Sequence, residues 1–489
     1  MSVGRRRCVF SDGAVGFGGS FGYDWGQNAD AAVFYGGWTP QLVGIEFSAS
    51  ASLSGKHWMR HQPIDSGLFV ENRANLKQLL PANSLAIVHA NDVLPTNADG
   101  TFKNFPNTDL FYLSGVEQEE SILLLFPDSP EPAQREILFV REPIEILEIW
   151  EGHKLSKEEA TQASGVTTIK WLSEFPGILR NCMLSAEQVF LNQNEHRRAA
   201  AIVQTRDDRF VEDCQRQFPL HTYRRLAPLL HQLRAVKSDA EVELIRRACS
   251  ITKGGFERLL KFVKPGVTEH EVEAELWHEF IRNRGAFAYS PIIASGKNAC
   301  GLHYVQNDQI CNDGDMLLLD VASNYANYNS DLTRTIPVNG RFTSRQRDVY
   351  DAVLRVMRAS IAGAVVGKMH RDWHHEAQLM MNEELVQLGL LTKEDVAKHT
   401  REAPACKKYF MHGLGHPIGL DVHDVAPTNV PFAAGWVLTV EPGIYIPAEG
   451  FAVRLENDIL ITEAGPIDLM DDIPVEADEI EALMAAAAK

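Results

Sequence analysis

Residues 316–334, MLLLDVASNYANYNSDLTR, run an apolar strand into Asp320, cross a turn rich in Asn, Ser and Tyr, and return to an extended segment at Asp331. A hairpin turning at Tyr325 and Ala326 sets Asp320 opposite Asp331, and like charges directly opposite on paired strands destabilise each other. A divalent cation that accepts oxygen ligands, such as manganese, magnesium or zinc, neutralises such a pair. Taken alone, the two residues also fit the rims of a solvated turn, where Asp is common.

Three later stretches add donors. KKYFMHGLGHPIGLDVHD carries His412, His416 and His423 among Gly413, Gly415 and Gly419, a loop whose backbone can approach a ligand closely. One neutral imidazole in a carboxylate site favours manganese, cobalt or zinc over calcium. WVLTVEPGIY delivers Glu441 at the end of an apolar strand, where a carboxylate is costly unless it is paired or metal-bound. FAVRLENDILIT sets Arg454 and Glu456 two apart, on one face of a strand; an exposed edge-strand ion pair is the plainer alternative. Asp320, Asp331, His416, Glu441 and Glu456 together carry more negative charge than one ion requires. They fit two metals sharing bridging carboxylates, an arrangement that polarises a carbonyl, acidifies a water and so performs hydrolysis.

The elements that must position these residues are legible in outline. Ser238 and Glu241 form a capping box before a long helix ended by Lys264-Pro265-Gly266, and Thr268 and Glu271 cap a second helix stopped by Gly285. Strands over FAYSPIIASG and MLLLDVAS follow; then helices at about 343–364 and 370–389 and strands near 436–446 and 451–462 repeat the order. Upstream, short strands SLAIVHAND, DLFYLSG, SILLLFPD and REILFVRE alternate with helical patches, KEEATQASG and 195–212 among them, which indicates an α/β domain. That domain lacks catalytic residue types on its buried strands and reads as scaffold or specificity element; Trp150 is expected to be packed and Arg141 solvated.

At 489 residues and 45% hydrophobic content the chain is long enough for two domains with separate cores. A net charge of −18 argues against nucleic acid or an anionic membrane as partner. Seven scattered cysteines without a CxxC pair read as reduced thiols, and no apolar run is long enough to span a bilayer, so a cytoplasmic location is expected. The boundaries drawn are 1–58, a Gly-rich extension with Met59 as the start or an alternative one; 59–225, the α/β domain; 226–236, a linker; 237–470, the catalytic domain; and 471–489, a tail.

The order of Asp320, Asp331, HGLGHPIGLDVHD, TVEPGIY and RLEND resembles the metallopeptidases of the pita-bread (creatinase/aminopeptidase) fold, and most nearly the Xaa-Pro aminopeptidase (aminopeptidase P) family. The resemblance covers nearly all of 237–465 and extends to that family's smaller N-terminal α/β domain. It implies that Asp320, Asp331 and Glu456 bind one metal and Asp331, His416, Glu441 and Glu456 the other, most often manganese, with cobalt or zinc as alternatives. It also implies that Glu441 acts as general base, that His303 (in GLHY) and His423 hold the scissile carbonyl, that His412 meets the substrate, that Arg454 orients Glu456, and that Tyr445 lies near the proline end. A Ser often precedes the metal histidine in the family, where this chain has Gly415. The expected activity is release of the residue before proline from peptides, by a homo-oligomer, dimer or tetramer. A dipeptidase of the prolidase type is the nearer alternative, methionine aminopeptidase a poorer one, and a non-catalytic binding protein of the same fold a third.

Overall fold

A computed structural model describes residues 61–199 and 202–487. The expectations for 1–58 and for Met59 lie outside the described residues.

The N-terminal part is a mixed six-stranded sheet in the order Ile169–Trp171, Glu136–Val140, Ile122–Leu125, Ser84–His89, Gln188–Leu191, Thr222–Arg225. Ser84–His89 is antiparallel to Ile122–Leu125 and parallel to Gln188–Leu191. Because alternate residues of a strand face opposite sides, Ala86 and Val88 enter one apolar cluster and Leu85 and Ile87 the other. Helices Ser66–Leu79, Thr108–Ser114 and Lys157–Ser164 cover the first face; Phe175–Met183 and Arg206–Gln217 cover the second.

DLFYLSG is the helix Thr108–Ser114, not the strand expected from its apolar run. Asn107 caps it by accepting from the amides of Asp109 and Leu110, Gly115 closes it at φ 65°, and Leu110, Phe111, Tyr112, Leu113 and Ser114 are all buried. A helix hydrophobic on every side shows no amphipathic period. A Cβ on Gly115 would lie 2.2 Å from the Phe69 ring, so glycine is required there for space as well as for φ. Residues 195–199 and 202–205 are not helical; the helix begins at Arg206 behind a Thr205–Asp208 capping box. Trp150 is 80% exposed rather than packed, and Arg141 pairs with Glu119, Glu120 and Glu151.

The stretch set apart as a linker is largely helix Ala227–Ala235, with Leu226 and Leu230 in the core. Beyond it come Asp239–Phe262 and Glu269–Arg282, capped as the sequence indicates, then Ser344–Gly363 behind a Thr343–Gln346 capping box, and His370–Gln387. These helix pairs enclose small antiparallel sheets: Ile292–Ser295 with Met316–Asp320 and Thr333–Pro337; Val437–Val440 with Asn457–Thr462 and Gly465–Asp468; and Gly443–Ile446 with Phe451–Arg454. Of the stretch 471–489 set apart as a tail, the described residues 471–487 include helix Ala477–Ala487, whose Ile480 and Met484 are buried, so they pack instead of trailing. Among the described residues no helix is long and apolar enough to cross a membrane.

Candidate metal centre

Each candidate carboxylate donor sits where a strand ends or breaks, and His416 sits in a loop. The inner hairpin pairs Tyr325 with Tyr328, so the turn falls on Ala326 and Asn327, at φ 51° and 67°, one residue beyond the position expected. Across the outer pair Asp320 faces Thr333, not Asp331. Asp331 lies in the irregular step between the Tyr328–Asn329 and Thr333–Pro337 strands. Its carboxylate nevertheless meets that of Asp320, because the Tyr289 hydroxyl lies 2.6 Å from Oδ1 of both. The long strands expected at 436–446 and 451–462 are each interrupted, after Val440 and after Arg454. Glu441 and Glu456 occupy the interruptions, where a side chain can leave the sheet and enter the site.

Ligand atoms of Asp331, His416 and Glu456, all buried, lie within 4.8 Å of one another. His416 Nε2 is 3.6 Å from Asp331 Oδ2 and 3.9 Å from Glu441 Oε1. Its Nδ1 is 3.0 Å from the Pro417 carbonyl, and donation there leaves the Nε2 lone pair to face the carboxylates, as a metal-binding histidine requires. Arg454 donates through Nη2 to Asp320 Oδ2 at 2.5 Å, through Nη1 to the Tyr445 hydroxyl at 2.8 Å and through Nε to Thr333 Oγ1 at 3.1 Å. Thr333, not Arg454, donates to Glu456, at 2.7 Å. The Tyr445 hydroxyl is 2.8 Å from His412 Nε2, and His412 Nδ1 is 3.6 Å from Glu441. One chain of contacts therefore runs Asp320, Arg454, Tyr445, His412, Glu441.

Local sequence explains the loop. Thr439 Oγ1 accepts the His416 amide, and a Cβ on Gly415 would lie 2.0 Å from the Thr439 carbonyl oxygen. His370 and His374, on helix His370–Gln387, bind the Gly415 carbonyl and the Leu414 amide. His423 and His303 are exposed at the mouth. The His423 ring stands edge-on to that of His416 with centroids 4.2 Å apart, and Arg198 Nη1 lies 3.2 Å from both its nitrogens. His303 is close enough to depress the basicity of His412 and His423.

Without a cation the pocket is overloaded with acid. Burial and the neighbouring Glu456 and Asp320 hold the Asp331 carboxyl far above the ordinary range, burial and Glu456 do the same to Glu441, and Glu456 itself is raised to about 7 by burial and Asp320. Burial lowers the imidazoles, His412 and His416 to about 3 and His423 to about 4, so all three are neutral at pH 7. Three clustered carboxyls, two of them buried, that resist ionisation beside a neutral, correctly oriented imidazole are a donor set that divalent cations satisfy.

Tyr289 and Thr333 escape sequence reasoning: neither stands in a distinctive motif, and only the fold brings them to carboxylates 31 or more positions away. Asp458, the last residue of RLEND, is not singled out by sequence reasoning although it stands in that motif; it is buried behind the site, and its Oδ2 accepts the Asp331 amide at 3.0 Å.

Comparison with known proteins places these observations. Residues 243–463 match the model of metallopeptidase family M24, and 69–190 match the aminopeptidase P N-terminal domain. The chain is 34% identical over 435 residues to the Xaa-Pro aminopeptidase of Escherichia coli, covering 86% of this chain and 98% of that one. It is 33% identical to the Xaa-Pro aminopeptidase of Haemophilus influenzae, over 85% of this chain and 96% of the other. Among solved structures, zinc-substituted E. coli aminopeptidase P in complex with product superposes with a TM-score of 0.79 at 32% identity, covering 87% of this chain and all of that one.

Proposed function

The chain belongs to metallopeptidase family M24, and we propose that it is a metal-dependent Xaa-Pro aminopeptidase, releasing the N-terminal residue of peptides whose second residue is proline. The observation that carries this reading is the convergence of Asp320, Asp331, His416, Glu441 and Glu456 on one buried pocket in a chain whose relatives are named for that reaction. We assign these five as metal ligands, with Asp331 and Glu456 shared between two ions, and manganese as the native metal ahead of cobalt or zinc. When bound, the metal supplies positive charge that polarises the scissile carbonyl and acidifies water.

The chain's own groups do the rest. The peptide bond before proline has no N–H and a fixed φ, so it needs a dedicated pocket; as in any amide hydrolysis, the leaving nitrogen must receive a proton. Glu441, which this reading makes the general base, takes a proton from water and passes it to that nitrogen. In this reading His423 and His303, exposed at the mouth, take the carbonyl oxygen as it gains charge. Arg454 fixes Asp320 and, through Tyr445, the ring of His412 on the substrate side.

A cleft of about 880 Å³ starts at His423 and continues between residues 90–109, 192–199, 203–207 and 420–425. Its room beyond the site favours peptides longer than two residues and disfavours the dipeptidase alternative. A cytoplasmic location accords with the six described cysteines being free thiols; a homo-oligomeric state, dimer or tetramer, rests on family likeness alone. Turnover of Xaa-Pro against Xaa-Pro-Yaa substrates in manganese tests the reading: the longer peptide is cleaved at least ~10-fold faster, and exclusive dipeptide cleavage, or no cleavage of either, overturns it.

A further inference from the structure

The loop that carries His416 and His423 is held from behind by charges that take no part in the chemistry. Arg234, on helix Ala227–Ala235, is 3% exposed. Its Nη1 donates to Thr108 Oγ1 at 3.0 Å and to Asp109 Oδ1 at 2.7 Å, and its Nη2 donates to Asp421 Oδ2 at 2.7 Å and to Asp424 Oδ1 at 2.6 Å. Thr108 donates in turn to Asp421 at 2.9 Å, and the buried Lys237 ammonium is 3.1 Å from Asp424 Oδ2. One guanidinium thus joins the start of helix Thr108–Ser114, in the N-terminal domain, to the two aspartates that flank His423 in sequence, with Val422 the only other residue between them.

The packing around this junction is exclusive. A Cβ on Gly419 would lie 2.3 Å from Asp424 Oδ2 and 2.9 Å from Lys237 Cε, so the loop has room for the ion pair only because residue 419 lacks a side chain. Asp424 N donates to the Pro417 carbonyl and Gly419 N to the Asp421 carbonyl, which closes 417–424 on itself. Asn329, two residues before Asp331, donates from its amide nitrogen to the Gly419 and Leu420 carbonyls. The planar fork of arginine suits two carboxylates at once; a lysine offers a single point charge.

We propose that Arg234 is a positioning residue for the proposed active centre: from the N-terminal domain side it sets, through Asp421 and Asp424, where the ring of His423 stands. The domain carrying Thr108 and Asp109 is then part of the catalytic apparatus and not only its cover. The inference rests on the aminopeptidase reading for its kinetic consequence but not for its structural one.

The test uses the full chain, with Arg234→Lys and, as the milder change at a half-exposed carboxylate, Asp421→Asn. Three quantities are read: kcat/KM on an Xaa-Pro-Yaa peptide in manganese, bound manganese per chain, and the histidine ring Cε1–Hε1 signals of the metal-free protein, with the His423 signal assigned by its absence in His423→Gln. The expected result is a loss of roughly 10- to 100-fold in kcat/KM at unchanged metal content, a shifted His423 signal and an unmoved His303 signal. A kcat/KM within about twofold of the parent with the His423 signal unmoved overturns the proposal; so does an equal shift of the His303 and His423 signals, which marks general loosening. If Arg234→Lys does not fold, Asp421→Asn decides by the same readouts. If the parent cleaves no Xaa-Pro peptide, the functional reading falls while the His423 signal still decides the positioning role.

Discussion

Removing the metal should make this protein less stable as the solution becomes more alkaline, and replacing Glu456 by Gln should relieve that loss. In the metal-free fold Glu456 is raised from 4.5 to about 7 by burial and Asp320. At ~1.4 kcal/mol per pH unit its charged form is disfavoured by about 3 kcal/mol relative to the unfolded chain. A carboxyl whose folded value is raised gives stability that is complete below its unfolded value and is lost as pH rises through the folded one. The histidines of lowered pKa run the other way: His412 and His416 near 3, His374 and His423 near 4, contribute stability present above about pH 6.5 and lost on acidification. Below about pH 6.5 the two slopes therefore oppose, and between roughly pH 6.5 and pH 8 the carboxyls act nearly alone. In that window Glu456 by itself removes about 1 kcal/mol, with Asp331 and Glu441, both held far higher by burial, adding in the same direction. The assay is thermal unfolding of chelated and manganese-loaded protein across that range. The chelated parent should melt several degrees lower at the upper end, the loaded parent should not, and chelated Glu456→Gln should outlast the chelated parent at about pH 8. A chelated parent equally stable at both ends, or a Gln variant no more stable than it there, would refute the account of the pocket as an uncompensated acid cluster.

Other perturbations separate the parts of the site. Tyr289→Phe removes the hydroxyl lying 2.6 Å from Asp320 and Asp331 and should weaken manganese binding roughly 10-fold or more, read by metal titration. Tyr445→Phe breaks the link from Arg454 to His412 and should lower kcat/KM by roughly 10- to 100-fold with metal content unchanged. Gly415→Ala drives a methyl to within 2.0 Å of the Thr439 carbonyl; a stability loss of about 1–3 kcal/mol is expected by denaturant unfolding, together with weaker metal binding through the displaced His416.

The first two helices of the C-terminal part were readable because their capping boxes and stop signals are local: Ser238 with Glu241 and Thr268 with Glu271 each close as their spacing indicates. The donor residues were readable as types at strand ends. Their partners were not, because partners are set by register and by where a strand breaks. A turn displaced by one residue puts Thr333 opposite Asp320, and the break after Arg454 sends its guanidinium to Asp320 while Thr333 takes Glu456. Helix Thr108–Ser114 was missed for a different reason: buried on all sides, it carries no alternation of apolar and polar positions. The Arg234 junction joins residues more than 120 positions apart on one side and more than 180 on the other, a range at which a single sequence holds no signal.

The most direct test of the central claim is metal analysis by mass spectrometry after exhaustive dialysis against manganese-free buffer, on the parent and on Asp331→Ala. The account predicts stoichiometric divalent metal in the parent, two ions per chain when manganese is restored, and a folded Asp331→Ala protein that retains neither. A parent that binds no metal, or an Asp331→Ala chain that binds as much as the parent, would contradict it.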